Sequence, residues 1–285
     1  MIVLSTGSVY TYGLGRVIDL AARAGYDGVE VLVDDRWDTR QPRYLKRLAR
    51  DAGLPIVAVH NPFVPHVEGW PANPVERLLQ SVDLAQDLGA RVVVAHPPRK
   101  RRGVRVQSYG GQFHQLEFVC PLLGCGRESR QYVDFLQTRL AELEATSGVQ
   151  VGVENMPAKS FLGRPFDRFW LNKAESLAAL SHVTLDTTHV GTWGLDLLEY
   201  AGVVRSKMIH VHLSDFDGRE HRLPGEGHLA LPELLRTLAR SGYAGAISVE
   251  VSPGAFDISN EDTCLQGLCQ ALVYCREYFR IGIPI

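Results

Sequence analysis

The 285-residue chain is most easily bounded by what it has little of. No apolar run approaches the length of a membrane span, and the first ten residues, MIVLSTGSVY, have neither a basic n-region nor a sustained apolar stretch. The sequence therefore predicts no signal peptide and a cytoplasmic, non-membrane protein. Charge of one sign is also scarce: the net charge is −2 and the pI about 6.6. That balance argues against bulk nucleic-acid binding, which needs a strongly basic face. Cysteine is sparse and unpaired: Cys120, Cys125, Cys264, Cys269 and Cys275 contain no CxxC pair. They read as reduced thiols rather than a disulfide frame or a thiolate zinc site. A glycine-rich phosphate loop, a linker and a low-complexity tract are all absent.

What is present is alternation. Short β-branched runs, at 2–6, 28–33, 56–60, 91–96, 149–154, 182–186, 208–213 and 246–251, are separated by amphipathic segments at 14–25, 42–53, 73–89, 129–148, 173–180, 193–202, 231–242 and 262–279. Most of the runs are continuously apolar, as parallel strands covered on both faces are. Gly25, Gly53, Gly89, Gly148 and Gly242 follow helical patterns at the position where a left-handed cap is needed. Strict alternation predicts an α/β fold, a single (β/α)8 TIM barrel over 1–285. One connection, 97–128, is far longer than an ordinary βα loop and predicts an insertion, a lid or a dimer contact. Its basic run (Arg99, Lys100, Arg101, Arg102, Arg105) reads as a solvated loop or as a phosphate-binding or DNA-contacting one, and Tyr109, Gly110, Gly111 and Phe113 follow it.

The strand ends carry the chemistry. The third strand ends in His60, the fourth in His96 and the fifth in Glu154; the sixth ends in Asp186 with His189 just after it, the seventh in His212 and the eighth in Glu250. In a (β/α)8 barrel these termini meet at one rim, where the active sites of this fold lie. Acidic groups and imidazoles are costly to gather in one cleft unless a cation compensates them, so the pattern predicts a metal site. His66, His114, His182 and His228 have no such placement and read as surface or packing residues; Glu30 lies near the rim side of the second strand, within reach of a substrate contact.

The motifs VHNP (59–62), AHPP (95–98), VENMP (153–157), LDTTH (185–189), HVHLSD (210–215), HRLPGEGHL (221–229) and SVEV (248–251) resemble the xylose-isomerase-like TIM-barrel superfamily, which joins sugar isomerases and epimerases to the endonuclease IV group. The sugar-enzyme branch implies one divalent ion held by Glu154, Asp186, His212 and Glu250. Three carboxylates and an imidazole suit Mn²⁺, Mg²⁺ or Co²⁺, with Zn²⁺ also accommodated. A carbohydrate-like substrate bound through adjacent carbonyl and hydroxyl oxygens would be polarised toward an enediolate. Glu154 and Glu250 would move the proton, and His189 would touch a substrate oxygen or orient the ligands. The expected activity is a metal-dependent sugar, sugar-acid or sugar-phosphate isomerase or epimerase. A dehydratase of the keto-polyol or dehydroshikimate type is an alternative on the same site.

The endonuclease IV branch implies more than one Zn²⁺ and an abasic-site phosphodiesterase. His60, His96 and Glu154 match its first ion, and His189 and His221 match its third. The third ion also needs an Asp where this chain has Arg219. Arg219 instead suits a substrate-binding cation, and His60, His96 and His221 are second-metal or substrate-binding candidates. A homodimer is compatible with the family resemblance.

Overall fold

The computed structural model describes residues 1–64, 67–109, 113–124, 126–161 and 164–280; for 102–109, 113–123, 160 and 161 it describes the backbone alone. His66, Gly110, Gly111 and Cys125 therefore lie outside the described residues, as do the side chains of Arg102, Arg105, Tyr109, Phe113, His114 and Cys120.

Eight parallel strands close a barrel in chain order: β1 (Ile2–Ser5), β2 (Val29–Leu32), β3 (Ile56–His60), β4 (Val92–Ala95), β5 (Gln150–Glu154), β6 (His182–Asp186), β7 (Met208–Leu213) and β8 (Ala246–Val249), with β8 pairing back to β1. Helices α1 (Leu14–Ala24), α2 (Pro42–Ala52), α3 (Pro74–Leu88), α4 (Arg127–Thr138), α5 (Leu140–Ser147), α6 (Ala174–Ala178), α7 (Thr187–Thr192), α8 (Leu197–Val204), α9 (Leu231–Arg240) and α10 (Glu261–Tyr278) alternate with them. This is the single (β/α)8 TIM barrel the alternation predicts. Among the described residues no helix is long and apolar enough to cross a membrane.

The two faces of most strands differ in kind. Val29, Val31, Val151, Val153, Val183, Leu185, Val211, Leu213, Ile247 and Val249 are fully buried and pack the barrel against its helices, each contributing about 1.5–3 kcal/mol for a side chain of this size. The alternate positions, Glu30, His60, Glu154, Thr184, Asp186, His210, His212 and Ser248, are also buried but polar, and they fill the barrel itself. Helix ends follow their caps. Gly25, at φ 87°, donates its backbone N–H to Ala21 and Ala22 and stops α1, a conformation a side-chain-bearing residue adopts only at a cost.

Several local features depart from the expected elements, among them the short helix α7. The helix expected over 129–148 is two helices meeting at Arg139, whose φ of −117° is off the helical value. The long connection after β4 contains an antiparallel hairpin, Arg101–Tyr109 paired with Phe113–Gly124. A second short hairpin, Lys159–Phe161 with Arg164–Phe166, follows β5. Lys100 donates to Asp167 at 2.9 Å, so this member of the basic run ties the two βα connections together.

Candidate metal centre

Asp186 shows how the local sequence builds the site. It ends β6 and at once serves as N-cap of α7: its Oδ1 accepts the His189 backbone N–H at 2.9 Å. Its other oxygen, Oδ2, is buried with no hydrogen-bond partner. One carboxylate thus does the capping that a Ser or Asn could do and still presents a free oxygen to the barrel mouth. Asn155, next to Glu154 on the neighbouring connection, fixes this arrangement. Its side chain donates to the Asp186 carbonyl at 2.9 Å and accepts from the Asp186 N–H at 2.8 Å, and its own carbonyl lies 2.8 Å from His189 Nδ1. The sequence reading missed Asn155; its place beside a candidate ligand in VENMP was the available signal.

Glu154, Asp186, His212 and Glu250 each offer one ligand atom, all within 4.8 Å of one another. His212 Nδ1 stands 2.9 Å from Glu154 Oε1, 2.8 Å from Glu250 Oε2 and 3.9 Å from Asp186 Oδ2. His96 and His60 approach the far oxygen of Glu154, Oε2, at 2.9 and 3.7 Å through their Nε2 atoms. That oxygen has no partner in hydrogen-bond geometry. His60, Glu154 and His212 form a second group with ligand spacing, and Asp186, His189 and His221 a third; the His189 and His221 rings lie 5.3 Å apart.

The electrostatics express three carboxylates in one enclosed space. Burial, followed by the Glu154 and Glu250 charges, pushes the Asp186 carboxyl well above its ordinary value. Burial is the largest influence and raises Glu154 and Glu250, but the neighbouring imidazoles together outweigh it. His212 is foremost in both, with His60 and His96 adding at Glu154 and His221 and His60 at Glu250. Glu154 is held well below the usual carboxylate range and Glu250 at about 2. Burial disfavours the His212 imidazolium, yet Glu250, Glu30 and Glu154 together raise its pKa well above that of a free imidazole. His189, where burial dominates, drops to about 3 and is neutral at physiological pH. The unpartnered oxygens of Glu154 and Asp186, the mutual repulsion at Asp186 and the hard donor set all fit a divalent cation.

A cavity of about 310 Å³ opens on this group, within the size range of small-molecule sites; Tyr10, Phe63, His96, Glu154, His189, His221 and Glu250 are among its walls. Arg219, expected at the site, is not brought there. Its side chain is 70% exposed and pairs with Asp217 two residues before it, because the 216–220 turn carries it away from the cavity toward solvent. Asp217 also faces Arg222 at 3.4 Å, so it is engaged by two cations rather than offered to an ion. Glu30 is not a substrate contact either: it is fully buried inside the barrel, bonded to His210 and His212. His182 contacts Glu144 at 2.7 Å, and His228 packs edge-on to Phe216, in keeping with packing roles.

Comparison with known proteins agrees with the barrel fold. The family described as "Xylose isomerase-like TIM barrel" matches residues 18–265. An uncharacterized protein of Mycobacterium leprae is 32% identical over 96% of each chain. Among solved structures, 3-keto-D-glucoside 4-epimerase from E. coli superposes with a TM-score of 0.67 at 17% identity, covering 97% of this chain and 99% of that one. D-allulose 3-epimerase from Methylomonas sp., in complex with D-allulose, gives 0.63 at 17% identity, covering 97% and 96%. These likenesses share the fold, and the sequence match carries the kinship: the chain belongs to the xylose isomerase-like TIM-barrel family.

Proposed function

We propose that the protein is a divalent-metal-dependent epimerase or isomerase of a ketose-like carbohydrate. The observation that carries the reading is the convergence of Glu154, Asp186, His212 and Glu250 within ligand distance, with Glu154 and Glu250 reaching the wall of a cavity of about 310 Å³. The epimerases named above, which share the barrel, support it. Mn²⁺, Mg²⁺ or Co²⁺ suits the donor set best. A bound ion would polarise adjacent carbonyl and hydroxyl oxygens of the substrate and so acidify the C–H between them.

The chain's own groups do the rest. Glu250, 16% exposed and on the cavity wall, takes the proton from one face of that carbon, and Glu154, across His212 from it, returns one to the other face. Their pKa values, kept low by the neighbouring imidazoles with His212 foremost, leave both carboxylates ionised before turnover. Glu250 therefore accepts the substrate proton. The proton that Glu154 returns reaches it from solvent through His96, whose Nε2 lies 2.9 Å from Glu154 Oε2 on the cavity wall. His189, neutral and with Nδ1 turned to the Asn155 carbonyl, offers its other nitrogen to a substrate oxygen. His60, His96 and His221 bind hydroxyls at the cavity wall. Tyr10, Phe63 and Met156 line the cavity and exclude water from the reacting carbon.

The test is incubation of the metal-loaded protein with a panel of ketoses in D₂O. The expected result is an epimeric or isomeric product carrying deuterium at the carbon next to the carbonyl. A product lacking the elements of water would instead identify a dehydratase. No exchange into any ketose, together with nicking of an abasic duplex, would replace sugar chemistry with phosphodiester hydrolysis.

A further inference from the structure

Beneath the candidate metal ligands the barrel holds a carboxylate that the proposed chemistry does not use. Glu30, on β2, is fully buried, and β2 lies three strands round the barrel from β7. Its side chain crosses the interior to reach two histidines of β7: Oε2 lies 2.5 Å from His210 Nε2 and 3.1 Å from His212 Nε2. Small residues make the room. The register partners of Glu30 are Ser5 and Ala58, and those of His210 are Thr184 and Ala246. A buried carboxylate is tolerated only with compensating donors, and here one oxygen receives both rings. That fixes the proton on Nε2 of His210 and Nε2 of His212 alike.

The consequence falls on His212. Its two nitrogens face opposite ways: Nε2 down to Glu30, Nδ1 up among Glu154, Asp186 and Glu250. With Nε2–H donated to Glu30, the lone pair available to an ion is on Nδ1, on the side where the carboxylates stand. We infer that Glu30, held in turn by His210, is a positioning residue that sets the tautomer and ring orientation of His212 for metal binding. The inference rests on the metal-site reading given above. A ligating imidazole whose second nitrogen is bound to a carboxylate is a better-oriented and more basic ligand, and loss of such a partner weakens metal binding about 10- to 100-fold. Glu30, His210 and His212 also have the spacing of an ion site. Both rings, however, converge on one oxygen at hydrogen-bond distance, which is the geometry of shared protons.

The experiment reads metal affinity and tautomer, neither of which needs a sugar. Mn²⁺ titration by calorimetry should show binding to Glu30→Gln weaker by about 10- to 100-fold, with a smaller loss for His210→Leu, which leaves the Glu30–His212 contact in place. Long-range ¹H–¹⁵N correlation on the Zn²⁺-loaded wild-type protein should show His212 protonated at Nε2 and not at Nδ1. Wild-type affinity in a folded Glu30→Gln variant overturns the inference, as does a His212 carrying its proton on Nδ1. A second ion bound with loss of the Nε2 protons does so too. The wild-type spectrum decides the matter even if Glu30→Gln fails to fold. Normal metal binding and tautomer without ketose turnover would sink the proposed activity and leave this inference standing; unchanged Glu30→Gln affinity with turnover intact would do the reverse. A wild-type chain that binds no divalent ion would end both.

Discussion

At the scale of single residues, the candidate site is a set of side chains whose second atoms are already committed. Asp186 spends one oxygen on a helix cap, His212 one nitrogen on Glu30, and His189 one nitrogen on Asn155. The free atoms of Asp186 and His212, Oδ2 and Nδ1, face one another at 3.9 Å. Glu154→Gln keeps the shape but removes a charge from the ligand set and the proton carrier. It should lower turnover by about a hundred- to ten-thousand-fold, the range for a general acid or base, and weaken Mn²⁺ binding; steady-state kinetics and calorimetry check both. Asn155→Ala strips two hydrogen bonds from the buried Asp186 backbone, a loss of about 1–3 kcal/mol for each group left unsatisfied, measurable by urea unfolding. Arg219→Ala should change neither metal affinity nor turnover appreciably, since the guanidinium is exposed and tied to Asp217. A large loss of turnover would restore Arg219 to the substrate site.

Elements show where the sequence was legible and where it was not. The eight strands were readable because each is a short β-branched run closed by Gly or a polar residue, and the His, Asp and Glu at their ends were readable for the same reason. Interior placement was not. Glu30 sits in the run GVEVLV, where nothing local distinguishes an inward carboxylate from a rim one; only closure of the barrel brings it to His210 and His212. Helix α7 was hidden likewise, because THVGT is a poor helix sequence that forms on the cap supplied by Asp186. The dual role of that residue, cap and candidate ligand, shows only once α7 and the barrel mouth are both in place. Barrel interiors also constrain neighbouring strands. A Cβ at Gly152 of β5 would stand 2.3 Å from Thr184 Oγ1 of β6, so Gly152→Ala should destabilise the fold by about 1–3 kcal/mol through overpacking. Adding Thr184→Ala should recover part of that loss, a coupling that a double-mutant cycle of unfolding free energies resolves.

For the whole molecule, the site makes stability depend on pH and on metal together. Glu250, lowered to about 2, and His189, lowered to about 3, bind fewer protons folded than unfolded. Their stabilisation is present above the ordinary pKa of each group and is lost as pH falls toward those values. His212 and Asp186 are raised, so their contributions run the other way: present at low pH and lost as pH rises through the folded values. The metal-free protein should therefore be most stable between these limits and weaken toward both. Ion binding requires deprotonated ligands, so added Mn²⁺ should raise the thermal midpoint more at pH 8 than at pH 5. At a hundredfold excess over Kd the gain is about 2.7 kcal/mol; differential scanning at the two pH values checks it.

The central claim, that Glu154, Asp186, His212 and Glu250 hold an ion, is tested most directly by the metal content of the protein after loading with Mn²⁺ and exhaustive dialysis. One tightly held ion per chain is expected in the wild type, with its loss in Asp186→Asn and Glu154→Gln. A wild type that retains none, or an Asp186→Asn variant that retains it undiminished, would contradict the claim.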